Sequence, residues 1–172
     1  MNRRNALAAG VAGLSAIALT KAGAADKPQA DETELEKIKT LFKSHDEAMT
    51  QHDLKGVLAT LDDHAAVMGT GPGEMWQGKE ELKIAYEHFF MAFDKGEQDY
   101  KPSFRVGGLS TDMGWLMTSG NVVGKRGGKA FSYPLNISLT VEKADGAWKI
   151  NAMHFSTLIN EKGEKPSQEG TK

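Results

Sequence analysis

The stretch GAWKINAMHFSTL, residues 146–158, joins a turn signal to an alternating strand and decides the fold. Asp145-Gly146 is the strongest short hairpin signal in the chain, because Asp-Gly suits the two-residue type I′ turn. Such a turn pairs Val141 with Ile150. Alternation then gives the last strand one face composed of Trp148, Ile150, Ala152, His154 and Ser156. The pattern predicts an antiparallel hairpin whose apolar inner face ends in two polar residues.

The preceding strand supplies the matching apolar row. Its inner residues are predicted to be Leu135, Ile137, Leu139 and Val141. Continued without interruption, the register places Leu139 opposite Ala152 and Ile137 opposite His154. The hairpin therefore predicts that His154 and Ser156 point into the domain.

Helical periodicity dominates the first half of the domain, and strands dominate the second half. Helices are predicted from Glu32 to near His52, over 54–61 with Asp53 as N-cap, and over 80–93. Further strands are predicted at 65–68, 113–124, 129–143 and 147–158, and Arg105, in the region around 100–109, is expected on a core strand. Helices first and long antiparallel strands afterwards predict an α+β domain.

The first 24 residues have the three parts of a bacterial export signal. Arg3 and Arg4 form a cationic start, residues 6–19 are apolar, and residues 22–24 are the small residues that a signal peptidase needs. The apolar part is shorter than the roughly 20 residues of a membrane-spanning helix. NRRNAL resembles a twin-arginine signal, with general secretion as the alternative route. We expect a cleaved signal peptide, a periplasmic or secreted mature protein, and no membrane association after cleavage.

The domain is expected at 32–158, between two polar segments. Residues 25–31 are predicted to be a linker, and residues 159–172 a disordered tail.

Charge and cysteine content exclude several classes of function. Removal of residues 1–24 takes away three cations and no acid, so the formal charge changes from −2 to −5. The remaining arginines are Arg105 and Arg126, which form no basic stripe for nucleic acid. The chain has no cysteine, so it has no disulfide and no thiol to oxidise.

Three stretches together resemble the SnoaL-like branch of the nuclear transport factor 2-like (NTF2-like) superfamily. DGAWKINAMHFS resembles the last strand of that family, HDLKGVLATLDDHAAVMG its second helix and first strand, and WQGKEEL the loop into its third helix. The resemblance spans about residues 32–158. It implies a cone in which a strongly curved, mostly antiparallel sheet wraps around about three helices and encloses a pocket, usually in a dimer. It does not select an activity, because this fold hosts many.

The resemblance implies three catalytic mechanisms, which the sequence matches poorly. An isomerase needs a carboxylate base on the first strand, where residues 68–69 are methionine and glycine. An epoxide hydrolase needs two acids beside its arginine, and no acid accompanies Arg105 on the inner face of the hairpin. A dehydratase needs a histidine with an acid or tyrosines, a role left to His154 with Tyr86 or Tyr133.

The other histidines and the glycine-rich segment have simpler interpretations. His45, His52 and His64 adjoin acidic residues and are expected on exposed helix faces or loops rather than in a metal site. VVGKRGGKA, residues 122–130, lies between two strands and is predicted to be a hairpin turn rather than a phosphate loop.

The predicted ligand pocket combines the polar end of the hairpin with aromatic and apolar residues. Its members are His154, Ser156, Trp148, Ile137, Tyr86, Tyr133 and Trp76. We expect an exported protein that binds a small, largely apolar molecule and forms a homodimer through the outer sheet face. No complete catalytic set, cofactor or metal is expected. The alternatives are a dehydratase- or isomerase-like enzyme using His154 as acid or base, and a dimeric scaffold domain with a vestigial pocket.

Overall fold

The computed structural model describes residues 32–157, which form three helices and a six-stranded sheet. The helices are α1 (Glu32–Thr50), α2 (Leu54–Thr60) and α3 (Gly78–Phe90). The strands are β1 (Leu61–Met68), β2 (Met75–Gln77), β3 (Gln98–Leu109), β4 (Met113–Arg126), β5 (Lys129–Ala144) and β6 (Ala147–Ser156). The predicted signal peptide, linker and tail (1–24, 25–31 and 159–172) lie outside the described residues.

Each helix follows from the spacing of its buried residues. α1 buries a row of side chains three or four positions apart, which therefore share one face. The members of this row are Ile38, Phe42, His45 and Ala48. Asp53 caps α2, because its Oδ1 accepts the N–H of Gly56 at 3.0 Å. α3 buries Leu82, Ala85 and Tyr86. The three predicted helices are confirmed, with ends within three residues of the predicted ones.

The sheet is curved, mixed and unclosed, with strand order β2-β1-β6-β5-β4-β3. Its pairs are antiparallel except for β1 with β6. The helices pack against one side, here called the inner face, and the other side is the outer face. The predicted α+β cone is confirmed. The sequence missed β2, because three residues are too few to show alternation.

Two tight turns set the register of the long strands. Asp145 (φ 51°) and Gly146 (φ 78°) join β5 to β6, and Gly127 (φ 57°) and Gly128 (φ 75°) join β4 to β5. Positive φ at both central residues is the type I′ geometry of two-residue hairpins. Both carboxylate oxygens of Asp94 accept the two glycine N–H groups, each at 2.8 Å. The predicted hairpin turn is confirmed, and its N–H groups bind the protein's own carboxylate.

Trp148 anchors the main core at the hairpin end of the sheet. The residue is 5% exposed, and its Nε1 donates to Glu34 of α1 at 2.6 Å. Lys143 pairs with the same carboxylate at 3.0 Å. Hydrogen bonds from Lys37, Trp148 and Lys143 lower the pKa of Glu34 to about 2. The first helix is therefore joined to the last hairpin by both packing and charge.

A second, smaller core cluster fills the other end of the cone. It consists of Phe93, Val122 and Phe131, with Met49, Phe90, Tyr100, Tyr133 and Leu135 packed against it. No helix within residues 32–157 is long and apolar enough to cross a membrane.

Candidate functional site

A β-bulge at Asn151 reverses the faces of β6. Val141 pairs with Ile150, as the turn predicts, but Thr140 pairs with Ala152, so Asn151 is an extra residue in the ladder. One extra residue moves every later side chain of a strand to the opposite face. The predicted register beyond Ile150 is therefore wrong.

Beyond the bulge, Met153 and Phe155 face the core, and His154 and Ser156 face outward. Leu139 of the inner row pairs with Met153, which is buried, whereas His154 is exposed. The prediction that His154 and Ser156 point into the domain is wrong, because the bulge interrupts the alternation on which it depended.

His154 lies instead in a groove of about 400 Å³ on the outer face. Met68 and Met75 line one side of the groove, and Trp115 and Met117 line the other. No aspartate or glutamate is among the described residues that line it. The groove is an apolar surface with a single imidazole, and that imidazole has no acid in the groove to orient it.

A second bulge, in β3, turns an arginine into the interior. The pairing of β3 with β4 shifts by one residue between Pro102 and Phe104, so Ser103 is extra. Arg105 then lies opposite the buried Thr118 on the inner face. Without the extra residue, alternation would place this guanidinium outside.

Arg105 of β3 and Asp46 of α1 each carry polar atoms that are occluded and unpaired. Nε and Nη2 of Arg105 are occluded from solvent and have no hydrogen-bond partner among residues 32–157, and the same is true of Asp46 Oδ2. Burial lowers the pKa of Arg105, while the negative charge of Asp46 opposes that shift. Occluded polar atoms without partners are rare in folded proteins. They are the strongest sign of a binding site in the described part of the chain.

A buried hydrogen bond between two helices adjoins this pair. His45 Nε2 lies 2.9 Å from the Tyr86 hydroxyl, and His45 Nδ1 lies 3.7 Å from Asp46 Oδ1. Burial raises the pKa of Tyr86 well above its usual range, so the hydroxyl stays protonated. The prediction that His45 lies on an exposed face is wrong, because its position on α1 belongs to the buried row.

Tyr100 and Thr118 complete the wall beside Arg105. The Tyr100 hydroxyl donates to the carbonyl of Leu135 at 3.1 Å and lies 3.3 Å from Thr118 Oγ1, which donates to the carbonyl of Phe104 at 2.9 Å. These groups already have partners. We call the whole set the interior polar cluster: His45, Asp46, Tyr86, Tyr100, Arg105 and Thr118.

Comparison with known proteins identifies the family. Residues 38–160 match the SnoaL-like domain. This chain belongs to the SnoaL-like family. No curated protein matches its sequence.

Solved structures of low sequence identity share the NTF2-like fold of this SnoaL-like domain. An NTF2-like protein of unknown function from Pseudomonas putida is 13% identical, with a TM-score of 0.65 over 83% of this chain and 99% of that chain. A ketosteroid isomerase-like protein from Erwinia carotovora atroseptica is 22% identical, with a TM-score of 0.59 over 75% and 99%. A candidate scytalone dehydratase from Novosphingobium aromaticivorans is 14% identical, with a TM-score of 0.63 over 81% and 96%. At such identities these likenesses establish the fold alone.

The SnoaL-like domain does not gather the seven residues of the predicted pocket into one place. Tyr86 belongs to the interior polar cluster, and Trp148 lies in the main core. Ile137 is half-buried on the inner face, opposite Phe155. Two aromatic residues pack against other rings. These are Tyr133, stacked on Phe131 at 5.8 Å, and Trp76, edge-on to Phe89 at 5.5 Å. Their contact with a ligand stays a prediction.

The sequence analysis did not predict Asp46 as an acid for Arg105. An acid was considered only on the inner face of the hairpin, whereas Asp46 belongs to α1. The three-residue step from Phe42 to His45 along the apolar row was the available signal. Within residues 32–157, no group of three or more histidine, aspartate or glutamate side chains is arranged to hold a metal ion.

Proposed function

We propose that this SnoaL-like domain binds a small, largely apolar molecule in the interior of its cone, with the polar head at Arg105 and Asp46. One observation carries the proposal: Arg105 Nε, Arg105 Nη2 and Asp46 Oδ2 are occluded, unpaired and contributed by two different elements. Leaving such groups unmatched costs about 1–3 kcal/mol each, so a ligand that pairs them gains affinity there.

Part of each of these two side chains is open to solvent. The Asp46 side chain is 45% exposed although its Oδ2 is occluded, and Arg105 is half-buried. Apolar surface for the rest of the ligand lies beside Tyr100, where Met49 and Leu135 pack against the second core cluster. A polar head beside apolar walls is the usual composition of a small-molecule site.

Native mass spectrometry of protein purified from its own cells tests this proposal. We expect a small molecule that co-purifies with the wild type, is released on denaturation, and is depleted in Arg105→Met. Arg126→Met is the matched control, because Arg126 is exposed at the end of β4 and should retain the molecule. Equal loading of wild type and Arg105→Met, or no bound molecule in either, would contradict the proposal.

A second candidate function, acid–base catalysis, is favoured by the His45–Tyr86 hydrogen bond. The imidazole lies between a protonated hydroxyl and the carboxylate of Asp46, an arrangement that suits a general base next to a hydrogen-bond donor. This role replaces the one that the sequence assigned to His154. Deuterium exchange of the α-protons of cyclohexanone in D₂O, followed by NMR, tests it. Exchange faster than in buffer and lost in His45→Gln supports catalysis, and exchange at the buffer rate excludes this role for this ketone.

We also propose that two copies pair through the outer face. Met113, Trp115 and Met117 alternate along β4 and are 50%, 42% and 52% exposed, and Phe104 adds to the same face. Contiguous exposed apolar area of this kind marks an interaction surface. Sedimentation at micromolar concentration should give a dimer for the wild type and a monomer for Trp115→Glu. Met91→Glu, at an exposed methionine after α3, is the control that should stay dimeric. A monomeric wild type would end this proposal.

A further inference from the structure

The two unpaired nitrogens of Arg105 lie on the same edge of its guanidinium group. Nε and Nη2 point their N–H bonds in parallel along that edge, and both are occluded without a partner among residues 32–157. A planar carboxylate fits this edge with two parallel hydrogen bonds, a geometry that an ammonium group does not offer. A ligand that pairs both nitrogens must therefore present two acceptor atoms on one flat group.

The neighbouring side chains do not supply these two acceptors. The Tyr100 hydroxyl and Thr118 Oγ1 already donate to backbone carbonyls. No ion pair joins Asp46 to Arg105 within the described residues, although the charge of Asp46 opposes the lowering of the Arg105 pKa. One unpaired acceptor, Asp46 Oδ2, also remains, and the charge of Asp46 acts on Arg105.

The interior polar cluster contains one arginine and no lysine, so it offers one fixed positive charge to one anionic group. Arg105 supplies one positive charge, Asp46 supplies one negative charge, and Tyr86 and Tyr100 are held neutral because burial raises the pKa of each. A dianion such as a phosphate monoester would carry one charge more than the arginine and would face the carboxylate of Asp46. A carboxylate with a hydroxyl group nearby suits both partners, because the hydroxyl donates to the aspartate.

We infer that the cone interior binds a small hydroxy acid, its carboxylate side-on to Arg105 Nε and Nη2 and its hydroxyl donating to Asp46 Oδ2. The inference rests on the proposed function and adds the chemical class of the ligand. The apolar part of the hydroxy acid lies against Met49 and Leu135.

Two hydroxy acids, mandelate and 2-hydroxyhexanoate, serve as probes for calorimetric titration of the full chain. We expect at least one to bind, and its amide and its des-hydroxy analogue to bind more than about tenfold more weakly, since each loses a charge-assisted hydrogen bond. Arg105→Lys keeps the charge and loses the flat edge, so it should weaken the acid by a similar factor. Arg126→Lys, the matched control, should bind as the wild type does.

An NMR spectrum of the arginine Nε–H groups supplies a direct readout. The chain has four arginines, and Arg105→Lys assigns the signal of Arg105. That signal should shift with the acid and stay in place with its amide. Asp46→Asn should reduce the difference between the hydroxy acid and its des-hydroxy analogue while the Arg105 signal still shifts.

The outcomes separate this inference from the proposed function. If neither acid binds but the amides or other neutral compounds bind and shift the Arg105 signal, the hydroxy-acid class is wrong and binding in the cone stands. If no acid or amide binds and native mass spectrometry finds no small molecule, both are wrong. If an acid binds equally well to wild type and to correctly folded Arg105→Lys, the side-on geometry is wrong.

Discussion

The hydrogen bond between His45 and Tyr86 crosses from α1 to α3 inside the core, so each side chain depends on the other. Tyr86→Phe removes the hydroxyl and leaves His45 Nε2 buried without a partner. We expect the free energy of unfolding in urea to fall by about 1–3 kcal/mol. The double variant Tyr86→Phe/His45→Leu should lose less than the two single variants added together, because neither partner is then left unpaired. Strict additivity would mean that the two groups do not interact.

His52 gives the domain a defined response to acid. Its ring stacks on Phe90 at 4.9 Å and meets Phe93 edge-on at 4.6 Å, and its Nε2 is occluded without a partner in the described chain. Burial lowers the pKa of His52 below its ordinary 6.5, with Lys95 in the same direction and Asp94 opposed. Between the lowered folded value and 6.5 the unfolded chain binds more protons. Stability is therefore present above pH 6.5 and lost as the pH falls below it.

The variant His52→Asn tests this response, because asparagine tolerates the positive φ of 52° and does not titrate. Urea unfolding is measured at pH 7.5 and 5.5. The wild type should lose more stability between these two values than His52→Asn does. An equal loss in both proteins would place the acid sensitivity elsewhere.

At the scale of elements, the last hairpin is held to α1 by Trp148. Trp148→Ala removes a ring that is 5% exposed and the hydrogen bond to Glu34. We expect a loss of about 3–5 kcal/mol, the usual range for deleting a large buried aromatic side chain. Trp115→Ala is the control, because Trp115 is 42% exposed on the outer face. A loss below about 1 kcal/mol in the Trp148 variant would contradict its role as an anchor.

The elements that could be predicted are those fixed by local chemistry. The Asp145-Gly146 turn sets the register by backbone conformation alone, so the pairing is right as far as Val141 with Ile150. Helix spacing likewise gave α1, α2 and α3. The bulges could not be predicted, because an extra residue is accommodated by the twist of the neighbouring strands. Asn151 shows this dependence, since its side chain is hydrogen-bonded to Thr140 and Glu142 of β5.

The candidate site was predicted less well than the fold for the same physical reason. Face assignments along a strand depend on every preceding residue, so one bulge moved His154 out and another brought Arg105 in. His45 is buried because it belongs to the apolar row of α1, although the adjacent Asp46 had suggested an exposed position. Helical periodicity does not accumulate such errors over one or two turns, and Tyr86 lies one turn after Leu82 on the buried side of α3.

At the scale of the whole molecule, we propose that residues 1–24 are an export signal and that the twin-arginine route exports the chain. NRRNAL resembles a twin-arginine signal, and Lys21 precedes the expected cleavage position. The double variant Arg3→Lys/Arg4→Lys should leave the precursor in the cytoplasm, measured by fractionation and the mass of the product. Normal export and cleavage of this variant would exclude the twin-arginine route and keep the signal peptide.

Because of the two bulges, the number of residues in a strand, rather than the identity of its side chains, determines which of them face the interior. Loss of one codon at Ser103 would carry Arg105 from the interior to the surface. Loss of one codon at Asn151 would bring His154 inside, next to the walls of the cone. A single in-frame insertion or deletion can thus move a side chain between the two faces of the sheet while every other encoded side chain is preserved. Counting residues between the β-turns of related genes, before comparing their side chains, should show separately whether the position of Arg105 and the position of His154 face inward.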